Sequence, residues 1–133
     1  MTRKYRVRDL EKAHEELTEL LEKIEYLVPV VVVEGPRDAE ALRQIGFRGR
    51  IELFSRVNLS ESDFIDSLAT IAASVVILTD FDEEGRRINR NLIRLFEHRG
   101  VRVEVGLRRE FSRLMAKLGI HTIEALDDIV SAL

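Results

Sequence analysis

The chain has 133 residues, of which 45% are hydrophobic and 34% charged, with a formal net charge of -3. These values fit one globular domain and exclude a disordered chain or a strongly basic binder that grips nucleic acid by charge alone. Cysteine is absent, which excludes disulfides and thiolate-held zinc or iron–sulfur centres.

No apolar run is long enough for a membrane span, because Pro29 interrupts the longest one, at 27–33. The charged opening, residues 1–6, is not followed by the apolar stretch of a secretory leader. A cytoplasmic location with no membrane partner is therefore expected. The cations are mainly arginine, 17 against 4 lysines, and arginine is the side chain suited to bidentate phosphate contacts.

From Val7 to Leu27, the residues Leu10, Leu17, Leu20, Leu21, Ile24 and Leu27 recur at helical spacing between glutamates. This pattern predicts one long amphipathic helix. Its near-heptad period makes it a candidate contact for a second copy or a protein partner, but its short length favours packing onto its own domain. The expected division is a helical extension at 1–28 and the domain proper at 29–133.

Val30–Val33 is a run of four valines, the composition of a strand buried on both faces. It ends at Glu34-Gly35-Pro36, where the glycine permits a tight turn and Pro36 suits the first position of a helix ending at Gly46. Residues 50–54 read as a second strand. Ser60 caps a helix carried by Phe64, Leu68, Ile71 and Ala72. A third strand at 75–78 leads into Thr79-Asp80-Phe81-Asp82-Glu83-Glu84-Gly85 and a helix with Ile88, Leu92, Leu95 and Phe96 on its apolar face. A fourth strand at 101–105 precedes two short helices, one ending near Gly119 and one capped by Thr122. The apolar face of the last carries Ile123, Leu126, Ile129, Val130 and Leu133.

Strands alternating with helices predict an α/β fold, a four-stranded parallel sheet covered on both faces. A strand order of 2-1-3-4 makes the first and third strands neighbours where the order reverses, the place where open sheets form sites. Glu34 then meets Asp80 and Asp82. Two carboxylates about 4 Å apart repel by about 4 kcal/mol at an effective dielectric near 20, so such a group calls for protons, solvent or a cation. All-oxygen donors suit a hard ion, Mg²⁺ or Mn²⁺. Arg86, Arg90 and Arg94 follow at i, i+4 and i+8, with Arg87 beside them and Arg37 after the Glu34 turn. Such residues could grip phosphates. His14, His98 and His121 are scattered and read as surface or capping residues.

Val33-Glu34-Gly35 with Asp38 and Ala41-Leu42 resembles the first motif of the Toprim family, a hydrophobic strand ending in Glu-Gly. Leu78-Thr79-Asp80-Phe81-Asp82 with Gly85 resembles the second, a strand ending in Asp-x-Asp followed by glycine. The resemblance spans residues 30–105. It implies a three-layer, Rossmann-like α/β/α fold as found in topoisomerases, primases, nucleases and recombination proteins. The 5S ribosomal RNA maturase and small free-standing Toprim proteins are nearest in style. By that resemblance Glu34 is the general acid or base, and Asp80 and Asp82 bind Mg²⁺ with help from Glu84. Gly35 and Gly85 let the backbone approach a phosphate, and RNA or DNA is the partner. Pro36 stands where many relatives carry lysine, with Arg37 beside it to supply the charge. Tyr5 and Tyr26 both lie on the N-terminal segment, so a topoisomerase activity is not expected.

The implied activity is that of a metal-dependent nuclease or related phosphotransfer enzyme. The alternative is a non-catalytic nucleic-acid-binding or assembly module that keeps the fold. Reading Asp80-x-Asp82 as a haloacid-dehalogenase-type motif is disfavoured, because that motif follows the first strand of its fold and this one follows the third.

Overall fold

The computed structural model describes residues 7–55 and 58–131. Tyr5 and Leu133 lie outside them. In chain order the elements are α1 (Val7–Leu27), β1 (Val30–Val33), α2 (Pro36–Ile45), β2 (Ile51–Leu53), α3 (Glu61–Ala69) and β3 (Ser74–Ile77). They continue with α4 (Glu83–His98), β4 (Arg102–Val103), α5 (Val105–Leu118) and α6 (Leu126–Ser131). The strands form one sheet in the order β2-β1-β3-β4, and every pairing is parallel.

Side chains alternate across a strand, and the valine runs use both faces. Val31 and Val33 of β1, with Val76 and Leu78 at β3, enter a core closed by α1, α2, α5 and α6. Val30, Val32, Val75 and Ile77 enter a second core closed by α3 and α4. Two such cores make three layers. Fully burying a valine or leucine side chain contributes about 1.5–3 kcal/mol, so the sheet's central pair anchors the domain.

The N-terminal helix covers one face of the sheet. Its Leu10, Leu17, Leu20, Leu21 and Ile24 are buried in the first core. Leu27, expected on the same stripe, is 53% exposed. The helix ends there and Val28 takes the buried place.

The punctuation follows the sequence. Ser60 Oγ accepts from the Asp63 amide at 3.1 Å, satisfying one of the helix's orphan donors. Gly46 ends α2 at φ 110, a left-handed conformation that favours glycine. The helix after Ser60 is shorter than expected. It stops at Ala69 and leaves Ile71 exposed.

The largest difference lies after Gly100. The fourth strand has two residues rather than five, and the chain turns into α5 at Val105. The Glu104 amide donates to the Val75 carbonyl at 2.9 Å. Beyond it, Leu107, Phe111, Met115 and Leu118 bury at helical spacing. That pattern overrides the strand preference of Val105, while Val103 stays in β4. The helix is consequently 14 residues long and not short. Thr122 lies in the turn before α6, which begins at Leu126.

Candidate metal centre

Glu34 and Asp80 follow adjacent strands, because β1 pairs with β3 in the register Val32↔Ile77. Their contact is direct: the Asp80 amide donates to Glu34 Oε1 at 3.1 Å. Asp80 Oδ1 in turn accepts from the Ile123 amide at 2.8 Å. Asp82 is the N-cap of α4, its Oδ1 accepting from the Gly85 amide at 2.8 Å. Asp38, in the first turn of α2, accepts from the Gly35 amide through Oδ2 at 3.0 Å. Each of these carboxylates is thus held to the backbone by one oxygen, and the other accepts no hydrogen bond among the described residues.

The group is electrostatically crowded. Burial raises the Glu34 pKa, and the charges of Asp80, Asp38 and Asp82 add to the rise against the opposing Asp80 amide bond. Burial likewise raises Asp80, with Asp82 and Glu124 adding to it and the Ile123 amide and Arg108 opposing. Asp38 is raised by burial and by the charges of Asp80 and Glu124, while the bond from the Gly35 amide opposes the rise. Five carboxylates, Glu34, Asp38, Asp80, Asp82 and Glu124, therefore share one patch at the carboxyl edge of the sheet.

A buried cation stands behind them. Arg108, in the first turn of α5, is 8% exposed. Its Nη1 donates to the carbonyls of Ile77 and Thr79, both at 2.9 Å, and to Thr79 Oγ1 at 3.2 Å. Its Nη2 donates to the Asp80 carbonyl at 3.2 Å, and the guanidinium lies 4.3 Å from the centre of the Phe81 ring. Burial lowers its pKa to about 10, with Asp80 and Glu34 resisting the fall. It stays charged at neutral pH.

Two glycines were expected to open the backbone to a phosphate, and their surroundings differ. A Cβ on Gly85 would overlap the backbone of Asp80, so glycine is required by the packing of α4 against the acidic loop. A Cβ on Gly35 would meet only Ser55 Oγ at 3.5 Å, and the backbone there is extended.

The remaining expected residues spread over the rim. Glu84 and Arg87 are exposed and bonded to each other, at 2.6 and 3.1 Å. Glu84 is not among the carboxylates that converge. Arg37 is 80% exposed at its side chain and pairs with Glu124 at 3.5 Å. Arg86 and Arg90 are exposed on α4 and form no ion pair among the described residues. His98 and His121 are exposed and His14 is half-buried. Sequence reasoning missed Arg108, Ile123 and Glu124 as parts of the site. Only Arg108 carried a signal, a cation in the first turn of a helix, where the dipole disfavours it.

Among the described residues no group of three or more His, Asp or Glu side chains is placed to hold a metal ion. The donor set nevertheless fits a hard divalent cation. Magnesium is usually held by one or two carboxylates, with waters and substrate oxygens completing its shell. Asp80 and Asp82 can supply those two carboxylates.

Residues 29–114 match the Toprim domain. The chain belongs to the Toprim family. A Toprim domain is a nucleic-acid-related, metal-binding domain, and its members generally bind Mg²⁺. The Toprim chain is 42% identical over 108 residues to the UPF0292 protein of Thermococcus onnurineus, covering 81% of this chain and 78% of that one. It is 34% identical over 129 residues to the UPF0292 protein of Methanosarcina acetivorans, covering 97% and 86%. A solved structure of a protein from Aquifex aeolicus superposes with a TM-score of 0.62 at 24% identity, over 86% of this chain and 94% of that one. That likeness concerns the fold alone. No helix among the described residues is long and apolar enough to cross a membrane.

Proposed function

We propose that this Toprim protein is a Mg²⁺- or Mn²⁺-dependent enzyme acting on phosphodiester bonds of RNA or DNA in the cytoplasm, as a nuclease or related phosphotransferase. The observation that carries this reading is the hydrogen bond from the Asp80 amide to Glu34 Oε1. It joins the acid after β1 to the Asp80–Asp82 loop after β3.

Glu34 is suited to proton transfer. Burial and its acidic neighbours raise its pKa, and a general acid or base works best with a pKa moved toward the operating pH. Asp80 and Asp82 would hold the cation, each anchored to an amide through Oδ1. When bound, Mg²⁺ neutralises charge on the phosphate and makes a water more acidic. Glu84 would assist after exchanging its bond to Arg87. Arg37, Arg86, Arg87 and Arg90 would contact flanking phosphates, which orient a substrate without reading its sequence. Gly35 and Gly85 would keep the backbone low beside it.

The second reading is a binding or assembly module without turnover. Its support is that Asp38, Asp80 and Asp82 each commit one carboxylate oxygen to a backbone amide, as structural aspartates do. A cleavage assay on mixed single- and double-stranded RNA and DNA with Mg²⁺ or Mn²⁺ separates the two. Cleavage lost in both Glu34→Gln and Asp80→Asn supports the enzyme. Binding without cleavage, or cleavage unchanged in both variants, removes it.

A further inference from the structure

We infer that Arg108 is a positioning residue of the acidic site, its guanidinium fixing the path of the loop that carries Asp80 and Asp82. The inference rests on the metal-dependent reading above.

The hydrogen bonds of Arg108 end on the segment that leaves β3: the carbonyls of Ile77, Thr79 and Asp80, and the Thr79 hydroxyl. None of these acceptors is a carboxylate. A buried cation without a hydrogen-bonded counterion is costly, and a cation in the first turn of a helix opposes the dipole. An apolar side chain at 108 would avoid both costs. What the guanidinium provides is a planar fork across carbonyls that the sheet no longer pairs.

The fork reaches both aspartates. Thr79 Oγ1 accepts from Arg108 and donates to the Gly85 carbonyl at 2.7 Å. The Gly85 amide donates to Asp82 Oδ1 at 2.8 Å. On the other side Arg108 holds the Asp80 carbonyl and covers the Phe81 ring. Phe81 stacks in turn on Phe111, one helical turn along α5. Lysine keeps the charge but cannot span these acceptors in one plane.

The test uses the full chain and Mn²⁺ alone, with affinity measured by calorimetry. Arg108→Lys is expected to weaken Mn²⁺ binding about tenfold or more, the usual cost of losing an outer-shell partner. Arg109→Lys, on the exposed side of α5, keeps wild-type affinity. Thr79→Val removes the relay to Gly85 and is also expected to weaken binding. Wild-type affinity in Arg108→Lys overturns the inference. Should that variant fail to fold, unchanged affinity in Thr79→Val overturns it instead.

A wild-type chain that binds no Mn²⁺ removes the metal reading separately. Amide exchange at Asp80 and Phe81 then decides the role of Arg108. Faster exchange in Arg108→Lys, with the rest of the sheet unchanged, supports it, and unchanged exchange at both amides sinks it.

Discussion

The amide of Ile123 donates to Asp80 Oδ1 at 2.8 Å, linking residues 43 positions apart. Beside it the Phe81 amide donates to the His121 carbonyl at 2.6 Å. The acidic loop is therefore shaped by a segment beyond residues 29–114, the stretch that matches the Toprim domain.

Glu124 follows directly, paired with Arg37 and repelling Asp38 and Asp80. Glu124→Gln should relieve that repulsion. Because the group is half exposed, the metal-free protein should gain less than about 1 kcal/mol. Denaturant melts with and without Mg²⁺ measure the change, and the gain should vanish when the cation is present.

The pH response has a definite sign. Glu34, Asp38 and Asp80 are raised above their ordinary values of 4.5, 3.8 and 3.8. Just above those values the native state holds more protons than the unfolded chain, so stability falls as pH rises. This contribution is complete below the ordinary values and lost above the raised ones. Melting temperature of the metal-free protein should rise as pH is taken from about 7 toward the carboxylate range. Glu34→Gln with Asp80→Asn should flatten the response.

The two site glycines should separate. Gly85→Ala forces a methyl onto the Asp80 backbone and should cost about 1–3 kcal/mol, the usual range for overpacking. Gly35→Ala meets only ordinary contact and should fold as the wild type does. Weaker nucleic-acid binding in Gly35→Ala would show that its space serves a ligand.

Leu17 on α1 is fully buried, whereas Tyr26 on the same helix is 88% exposed. Leu17→Ala should cost about 2–5 kcal/mol, and Tyr26→Ala close to nothing. Equal, small effects in melts of the two variants would mean that α1 adds little to the core.

Glu84 and Arg87 are bonded on the surface. Glu84→Gln should weaken Mg²⁺ binding by less than about tenfold, since the carboxylate must first leave Arg87 and exposed pairs contribute little, while Asp80→Asn should weaken it severely. Unchanged affinity in Glu84→Gln, read by calorimetry, would remove that carboxylate from the cation.

The layered fold was legible because the signals are local. Four consecutive valines, the Glu-Gly-Pro turn and the Asp-x-Asp loop each carry a composition that one strand or one turn demands. Alternation of strands and helices then leaves few arrangements, and β2-β1-β3-β4 is the one found. Val105 misled for the same local reason: a β-branched residue close to Val103 reads as strand until the buried face of α5 competes for it.

Tertiary structure alone decided what surrounds the acids. Arg108 reaches Ile77 across 31 positions and Thr79 across 29, and Ile123 reaches Asp80 across 43. Hydrogen bonds between such distant residues leave no period or spacing in the sequence, because they depend on where α5 and the turn after it settle on the sheet. The sequence determined which carboxylates stand at the strand ends. The packing of α5 determined which way they are held.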